Sequence, residues 1–527
     1  MFKHVIRALF IGLSLYLPVY GQSALQPKRY FTNNGGLLDR NSPLSVPDQF
    51  ASDLTNVTLD TRGQLLKRTG QDMINLTTGT LGTSAVTGGG YHAASSGSNF
   101  FGVVVGTNVY RTGNTFAGSY DTVTGTVTVT SGASNLVQVT DLNDKLIFCN
   151  ESDKPFYLAS TGNAVHISTG LFTGAKTCST YGTYLVIGNT TESAVNYTSR
   201  IRWSDINDVN DFPALNYIDV EPDDGDKIVS IISFDDSIYI FKKRSIHRMV
   251  ITGLDGADAF IIRPVVRNIG AWAKNSVRVI PNVGIAFLAQ NTLYVLNDSG
   301  LNPIGDSIQR TFDGVTRSQW SNAVAAVYPK RYQYWIAVST GASTTNNVVL
   351  VYDYIQQSWT VYGLAMNALA QAEDSNGNNL LITGDYLGNQ YKQDSTNSTD
   401  DINGVTTSIQ FSYTTPDLFM DSPEYTKNFK YLYLFFNVVE STTTVEAGFD
   451  YLSTFEFSED ISLGQVGALY DTAIYDTDVY PSVAYKVARI ELNRSAKAVK
   501  LRFSESSTNS FGIIGWAIVY MPEDWKM

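Results

Sequence analysis

The chain has 527 residues, of which 43% are hydrophobic, so it is long enough to bury more than one ordinary core. Its 31 Tyr, 26 Phe and 42 Gly residues are typical of folded β structure. The formal net charge of −12 argues against a protein that binds nucleic acid on its surface, because neutralising phosphates requires clustered Lys and Arg.

Residues 1–23 look like a secretory leader. Lys3, His4 and Arg7 precede an apolar run at residues 8–19, and cleavage after Gly21 fits the pattern. A bilayer span needs about twenty apolar residues, so this run is too short, and we predict no membrane span. Two alternatives are a misassigned start codon and an uncleaved apolar arm buried in an assembly.

Residues 24–90 are predicted to form an extended N-terminal arm and a connector. Pro, Gly and Asn interrupt this segment too often for a long helix, so we expect short strands. A stretch rich in Gly and Ser, at residues 87–98, is interpreted as the connector into the main body.

Residues 91–400 are predicted to form a β-propeller. Apolar strand cores recur with a mean spacing of about 47 residues, and a period of about 40 to 50 residues built from hairpins is typical of propeller blades. The cores begin near Phe100, Leu146, Tyr184, Ile238, Ile285, Trp335 and Leu380. Six and seven blades are equally defensible, because the first and last cores can share one closing blade.

The clearest single blade element lies at residues 237–250. An apolar run is followed by a basic break of Lys242, Lys243 and Arg244, and then by a second β-prone run. Two such runs with a tight polar connection predict an antiparallel hairpin.

Residues 401–527 are predicted to form a C-terminal β-sandwich. Val499, Leu501 and Phe503 alternate with Lys500 and Arg502, which places one face in a core and the other in water. The complete fold is therefore predicted as all-β, a propeller of six or seven blades with an extended arm before it and a sandwich after it.

Motifs for catalysis and cofactor binding are missing from the sequence. It contains no G-x-S-x-G, no P-loop, no G-x-G-x-x-G after a strand and no H-E-x-x-H. We therefore predict a non-enzymatic protein without a cofactor. Cys149 and Cys178 match no metal motif and are expected to be two small buried apolar residues.

One acidic loop is a weak candidate for Ca²⁺ binding, because loop carboxylates are typical Ca²⁺ ligands. Its carboxylates are Asp219, Glu221, Asp223, Asp224 and Asp226. Gly225 falls one place late for a helical calcium loop and no distal Glu completes it, so the alternative is a solvated loop before the next strand.

Two segments resemble tail proteins of short-tailed bacteriophages. The first is the arm, with Gly35-Gly36-Leu37, Ser42-Pro43-Leu44 and Leu66-Lys67-Arg68-Thr69-Gly70 in that order. The second, within residues 200–242, contains Arg200-Ile201-Arg202-Trp203-Ser204-Asp205 and Ile238-Tyr239-Ile240-Phe241-Lys242, and is similar to the central blades of that family.

The resemblance implies a structural protein of the virion, a tail nozzle or hub that forms a ring, expected to be a hexamer. Such a ring would line the DNA exit channel and join the tail adaptor to distal tail or fibre proteins. Negative charge on a channel wall repels phosphate, so DNA would pass without specific binding.

Six charged residues are candidate channel-lining or intersubunit positions: Asp223, Asp224, Asp226, Lys242, Lys243 and Arg244. The alternative for the three basic residues is a solvated turn. Because phage tail proteins need no export signal, the leader favours a different alternative function, a secreted or periplasmic propeller that binds ligands as lectins do. A propeller hydrolase is the third alternative.

Overall fold

The fold consists mainly of β-strands. The computed structural model describes residues 25–75, 81–254, 256–437, 441–462 and 485–523. The predicted leader at residues 1–23 lies outside the described residues. Within them, no helix combines the length and the apolar character needed to cross a membrane.

The arm contributes five short strands. They are β1 (Gln26–Tyr30), β2 (Asp53–Thr55), β3 (Val57–Leu59), β4 (Leu65–Lys67) and β5 (Gln71–Met73). Each of them belongs to a sheet that later parts of the chain complete, because strands this short are stable only on a larger sheet. The arm is therefore shared between the two parts of the molecule.

Seven four-stranded sheets follow one another in the described chain. The first four contain β6 (Val86–His92), β7 (Phe100–Val105), β8 (Asn108–Gly113) and β9 (Asp121–Thr122); β10 (Gln138–Leu142), β11 (Lys145–Cys149), β12 (Phe156–Leu158) and β13 (Val165–His166); β14 (Gly174–Tyr181), β15 (Tyr184–Glu192), β16 (Val195–Trp203) and β17 (Tyr217–Asp219); and β18 (Ile228–Phe234), β19 (Ser237–Lys242), β20 (Ser245–Ile251) and β21 (Phe260–Arg267).

The remaining three sheets contain β22 (Arg278–Ile280), β23 (Gly284–Leu288), β24 (Leu293–Asn297) and β25 (Gly300–Pro303); β26 (Val324–Tyr328), β27 (Gln333–Val338), β28 (Val348–Asp353) and β29 (Ser358–Tyr362); and β30 (Ala368–Glu373), β31 (Asn379–Gly384) and β32 (Gln390–Gln393), completed by β5 of the arm. The first strand of each sheet packs on the first strand of the next, and β30 packs on β6. The sheets thus form a closed ring, which confirms the predicted β-propeller and gives it seven blades.

The seventh blade closes the ring with strands from distant parts of the chain. Strand β5 pairs antiparallel with β32, with Met73 opposite Tyr391 and Gln71 opposite Gln393. Opening the ring at this blade therefore requires the arm to leave the propeller.

Apolar layers between neighbouring blades form the propeller core. Phe241 of blade four and Phe287 of blade five, for example, have ring centroids 5.0 Å apart. Val103 and Val104 of the first blade are fully buried, as expected for strands covered on both faces. Cys149 and Cys178 are free and buried between blades two and three, which confirms the prediction made for them.

Two sheets pack as the C-terminal sandwich, after a hairpin of β33 (Thr399–Ile402) and β34 (Val405–Ser408). Its strands are β35 (Phe411–Thr414), β36 (Lys427–Asn437), β37 (Thr442–Phe449), β38 (Phe457–Ser462), β39 (Tyr485–Ala496), β40 (Val499–Glu505) and β41 (Gly512–Pro522). One sheet has the order β3-β4-β41-β36-β39, with β1 also on β41, and the other has β2-β35-β40-β37-β38.

The arm is thus part of the sandwich, and the predicted boundaries fall inside elements, with residue 91 in β6 and residue 400 in β33. One short helix, α1 (Gln309–Asp313), lies between blades five and six. Short 3-10 turns occupy Pro43–Ser45, Pro222–Asp224, Gly256–Asp258, Lys274–Ser276, Asp306–Ile308, Arg317–Asn322 and Pro329–Arg331.

Candidate functional site

Most of the predicted site residues lie around the basic hairpin of blade four. Strands β19 and β20 are joined by a turn at Lys243 and Arg244. Lys242 is the last residue of β19 and is completely buried. Its Nζ donates to Oδ1 and Oδ2 of Asp224 at 2.7 Å each, and to the carbonyl oxygen of Val220 at 3.0 Å. The prediction of a solvated turn is therefore wrong for Lys242.

Asp224 keeps its charge in this contact. Partial burial alone would raise the pKa of the Asp224 carboxyl, but the hydrogen bonds from Lys242 and from the backbone N–H of Asp226 outweigh it and hold the pKa below its usual range. The ion pair is therefore intact at neutral pH.

Asp226 is buried and organises the turn itself. Its Oδ1 accepts a hydrogen bond from the backbone N–H of Lys243 at 3.1 Å, and its Oδ2 accepts one from that of Arg244 at 2.8 Å. The side chains of Lys243 and Arg244 are exposed, as is that of Asp223. The six predicted positions thus divide into three that hold the hairpin and its loop together and three that face outward.

The remaining acids of the Ca²⁺ candidate also have their own partners. Asp219 accepts two hydrogen bonds of 2.8 Å from Arg200, and Glu221 is paired with Arg267 at 3.0 Å. The five carboxylates do not converge on one point. Within the described residues, no group of three or more His, Cys, Asp or Glu side chains is arranged to hold a metal ion.

Sequence reasoning missed a stacked cation beside this loop. The guanidinium carbon of Arg200 lies 3.8 Å from the ring centre of Tyr197 and 4.2 Å from that of Tyr217. Glu192 accepts hydrogen bonds from both Arg200 and Arg202. The alternation of Arg200 and Arg202 about one apolar residue, which places both cations on one face of a strand, is the signal that could have revealed this cluster.

The second candidate region is the place where the arm holds the propeller and the sandwich together. We call it the arm junction and define it by Gly36, Lys67, Arg68 and Gly70 with their partners. All four residues belong to the strings that resemble phage tail proteins.

Lys67 forms an ion pair in the interior of the arm junction. Its Nζ lies 2.8 Å from Oε2 of Glu505 in β40, and both side chains are completely buried. The same nitrogen donates to the carbonyl oxygens of Ser507 at 2.5 Å and Asn509 at 3.2 Å. Because three oxygens surround the ammonium group, its burial is compensated by hydrogen bonds.

Arg68 makes the second buried ion pair. Its two terminal nitrogens donate to Oδ1 and Oδ2 of Asp400 at 2.8 and 2.5 Å, and its Nε donates to Oδ1 of Asn56 at 2.9 Å. This fork geometry is the strong arrangement for Arg and carboxylate. Arg68 therefore connects the arm to β33, the first strand after the propeller.

The two glycines allow close backbone contacts. Gly36 has φ +76°, and a Cβ there would lie 2.8 Å from the carbonyl oxygen of Trp359 in blade six. A Cβ at Gly70 would lie 1.7 Å from the carbonyl oxygen of Thr399. Side chains at these positions would force the backbones apart.

The arm also contacts the link between blades five and six. The carboxylate of Asp39 accepts hydrogen bonds from the backbone N–H groups of Arg310 and Thr311, at 3.0 and 2.7 Å. The backbone N–H of Leu37 donates to the carbonyl oxygen of Trp359 at 2.9 Å. Propeller and sandwich consequently share one continuous hydrophobic core.

Together these features define a seven-bladed β-propeller joined to a β-sandwich through a shared arm. No family model matches the chain, and no curated protein is significantly similar in sequence. Similar solved structures include the extracellular domain of a putative hybrid two-component system from B. thetaiotaomicron, with 12% identity and a TM-score of 0.41 over 69% of this chain. The match spans 42% of that structure's length.

A second similar structure is the WD40 domain of Neurospora crassa Pan2. It has 10% identity and a TM-score of 0.32, over 65% of this chain and 89% of the Pan2 domain. With identities and TM-scores this low, no activity follows from either likeness.

Proposed function

We propose that the chain is a non-enzymatic structural protein of a bacteriophage tail, a nozzle or hub subunit that assembles into a ring. The ring, expected to be a hexamer, would line the DNA exit channel and connect the tail adaptor to distal tail or fibre proteins. The observation that carries the proposal is the arm junction, because the residues of the phage-like arm strings are those that join the propeller to the sandwich.

Such a ring would require a rigid connection between propeller and sandwich. A ring subunit that transmits load between an adaptor and distal parts must keep its two parts in a constant orientation. Two buried ion pairs fix the arm at one end: Lys67 with Glu505 holds it in the sandwich, and Arg68 with Asp400 holds it to the hairpin that follows the propeller. The closing strand β5 adds a third attachment, since it lies in blade seven of the propeller.

The charge of the chain supports passage of DNA. With a net charge of −12, a ring of several copies would present an acidic wall that repels phosphate. The exposed carboxylate of Asp223 is available for such a wall. Asp224 and Asp226 are engaged with the basic hairpin, so they would act through the shape of the loop.

Mass spectrometry and imaging of purified virions test the proposal. We expect the chain to copurify with particles, in the copy number of one ring, and to appear as a ring at the base of the tail. A matched chain that begins at Gln22 should assemble equally well if the leader is a misassigned start. Absence of the chain from virions, together with cleavage after Gly21 and export, would contradict the proposal.

The second candidate is a secreted or periplasmic binding protein. It is favoured by one observation, a cavity of about 420 Å³ lined by the first strands of five propeller blades. The virion experiment separates the two candidates, because a secreted protein would be found processed and outside particles.

A further inference from the structure

The propeller axis is closed at one end by a short turn. The 3-10 turn at Lys274–Ser276 precedes the first strand of blade five and reaches across to blades two and three. The Nζ of Lys274 donates to the carbonyl oxygens of Leu136 at 2.6 Å and Lys176 at 3.1 Å. Asn275 donates from Nδ2 to the carbonyl oxygen of Val137 at 3.0 Å.

A side-chain bridge completes this floor. Gln138 accepts a hydrogen bond of 2.6 Å from Thr177 and donates one of 3.1 Å to the carbonyl oxygen of Ile231. The backbone N–H of Ile231 in turn donates to Thr177 Oγ1 at 2.9 Å. The first strands of blades two, three and four are thereby tied together, and they complete the floor at this end of the propeller axis.

Above the floor lies a cavity of about 420 Å³, which we call the central well. It is lined by the first strands of blades one, two, five, six and seven. Sites for small molecules in proteins commonly measure about 300 to 1,000 Å³. The well is thus large enough to hold a small organic ligand.

Apolar side chains and polar groups share the walls of the central well in about equal measure, and its mouth is polar. Apolar side chains in the lining are Val137, Val139, Leu146, Val279, Val324, Ala326, Val327, Ala368, Leu369 and Ala370. The exposed side chains of Asp141 and Gln371 lie near the ends of their strands and mark the mouth. A ligand that enters here would leave water for a surface that is about half apolar.

Arg278 is the one cation among the described residues that line the central well. Its Nε donates to the carbonyl oxygen of Ala325 at 2.8 Å, and one terminal nitrogen donates to that of Val277 at 2.9 Å. In the part of the chain that the structure describes, no carboxylate lies within ion-pair distance of its guanidinium. Neutral carbonyl groups thus hold Arg278, whereas the buried Lys67 is compensated by the carboxylate of Glu505.

The charge of Arg278 is therefore poorly compensated. Burial lowers the pKa of its guanidinium below the ordinary value, because desolvation penalises the charged form. Arginine nevertheless stays protonated at neutral pH. A buried cation with no carboxylate within ion-pair distance is costly, so an anion in the well would be stabilised by Arg278.

Asn275 provides a second, independent observation. It is 4% exposed and lines the central well, and its Oδ1 is buried without a hydrogen-bond partner in the described chain. Buried acceptors are usually paired, so an unpaired one beside a cavity marks a place for a donor. A hydroxyl or amino group on a ligand would supply that donor.

We propose that the central well binds a small organic anion, whose carboxylate or phosphate group pairs with Arg278 while its apolar body packs on the valine and alanine side chains. This site is independent of ring assembly, so it stands whether the chain belongs to a virion or is secreted. Carboxylate and phosphate ligands of this kind have in common one anionic group on a compact apolar body.

Isothermal titration with two acidic probes and their neutral counterparts tests the site on the full chain. The probes are 4-hydroxybenzoate with 4-hydroxybenzamide, and phenyl phosphate with phenol. We expect at least one acid to bind, and its neutral counterpart to bind at least tenfold more weakly, which corresponds to about 1.4 kcal/mol. Whichever of the two acids binds more tightly shows whether the well prefers a carboxylate or a phosphate group.

Three variants locate the binding. Arg278→Gln should weaken the binding of the acid at least tenfold. Arg111→Gln is the matched control, because Arg111 also donates to backbone carbonyl oxygens, those of Ala159 and Gly162, but lies outside the lining. Gln371→Trp changes an exposed residue at the mouth and should block entry without disturbing the core. If Arg278→Gln fails to fold, Gln371→Trp therefore shows whether the acid binds in the central well.

Three results would overturn the proposal. One is that neither acid binds the wild-type chain, and another is that each neutral counterpart binds as tightly as its acid. The third is undiminished binding of the acid by folded Arg278→Gln or, where that variant does not fold, by Gln371→Trp, since binding would then occur elsewhere.

Discussion

Two buried lysines, Lys67 in the arm junction and Lys242 in blade four, meet their carboxylates in different ways. Both ammonium groups are fully buried, but Glu505 beside Lys67 is 0% exposed, whereas Asp224 beside Lys242 is 30% exposed. The first pair joins residues 438 positions apart, and the second joins residues 18 positions apart within one hairpin and its preceding loop.

The difference shows where the fold depends on long-range docking. The pair of Lys242 and Asp224 can form as soon as blade four forms, and its carboxylate can turn to water if the lysine is lost. Lys67 and Glu505 meet only when the arm has docked on the sandwich, and neither can then reach water. The arm junction therefore concentrates stability at a contact between distant parts of the chain.

Lys67→Met should have the largest effect. It leaves the Glu505 carboxylate buried without its cation, and breaking a buried ion pair in this way costs about 3–5 kcal/mol. Urea unfolding of the full chain, followed by tryptophan fluorescence, measures the loss. Lys28→Met is the control, because Lys28 pairs with the exposed Asp421 and its loss should cost less than about 1 kcal/mol. Equal stability of Lys67→Met and Lys28→Met would contradict the expectation that the buried ion pair stabilises the fold more than the exposed one.

Much of the fold could be predicted because it follows from local patterns. Apolar runs such as Val103-Val104-Val105, which recur about every 47 residues on average, indicate strands covered on both faces, and these are inner blade strands. The number of blades could not be predicted. The strand that completes blade seven, Gln71–Met73, is short and has no apolar pattern, and it pairs with a strand near the far end of the propeller sequence.

The candidate site was less predictable for a similar reason. Lys242 stands at the end of an apolar run and before two exposed basic residues, so its sequence environment fits a solvated turn. Whether its side chain points inward depends on the register of β19, which a single residue reverses. The roles of Lys67 and Arg68 depend on Glu505 and Asp400, which no local pattern connects to them.

Lys242→Met should have an intermediate effect. The same substitution as at Lys67 leaves a carboxylate that is partly exposed, so we expect a loss of about 1–3 kcal/mol. Urea unfolding measures it, and hydrogen exchange should place the faster-exchanging amides in β19 and β20. Lys227→Met is the control, because the exposed side chain of Lys227 should change stability by no more than about 0.5 kcal/mol. A loss as large as that of Lys67→Met would remove the distinction between the two pairs.

The pH dependence of the Lys242 pair should be the smallest effect. The pKa of Asp224 in the folded chain lies below its ordinary value of 3.8, so the unfolded chain takes up this proton first as the pH falls. The stabilisation is therefore complete above the unfolded pKa and is lost as the pH falls through the lower folded pKa.

The stability gap between the wild type and Lys242→Met should consequently stay constant from about pH 7 to about pH 5 and shrink towards about pH 3. Because solvent screens a partly exposed carboxylate, we expect the gap to shrink by no more than about 1 kcal/mol. Urea midpoints across this range measure the gap. Asp224→Asn provides the control, because adding Lys242→Met to it should give a gap that does not shrink. A gap that stayed constant on acidification would mean that Lys242 acts through its backbone carbonyl partners, and not through the charge of Asp224.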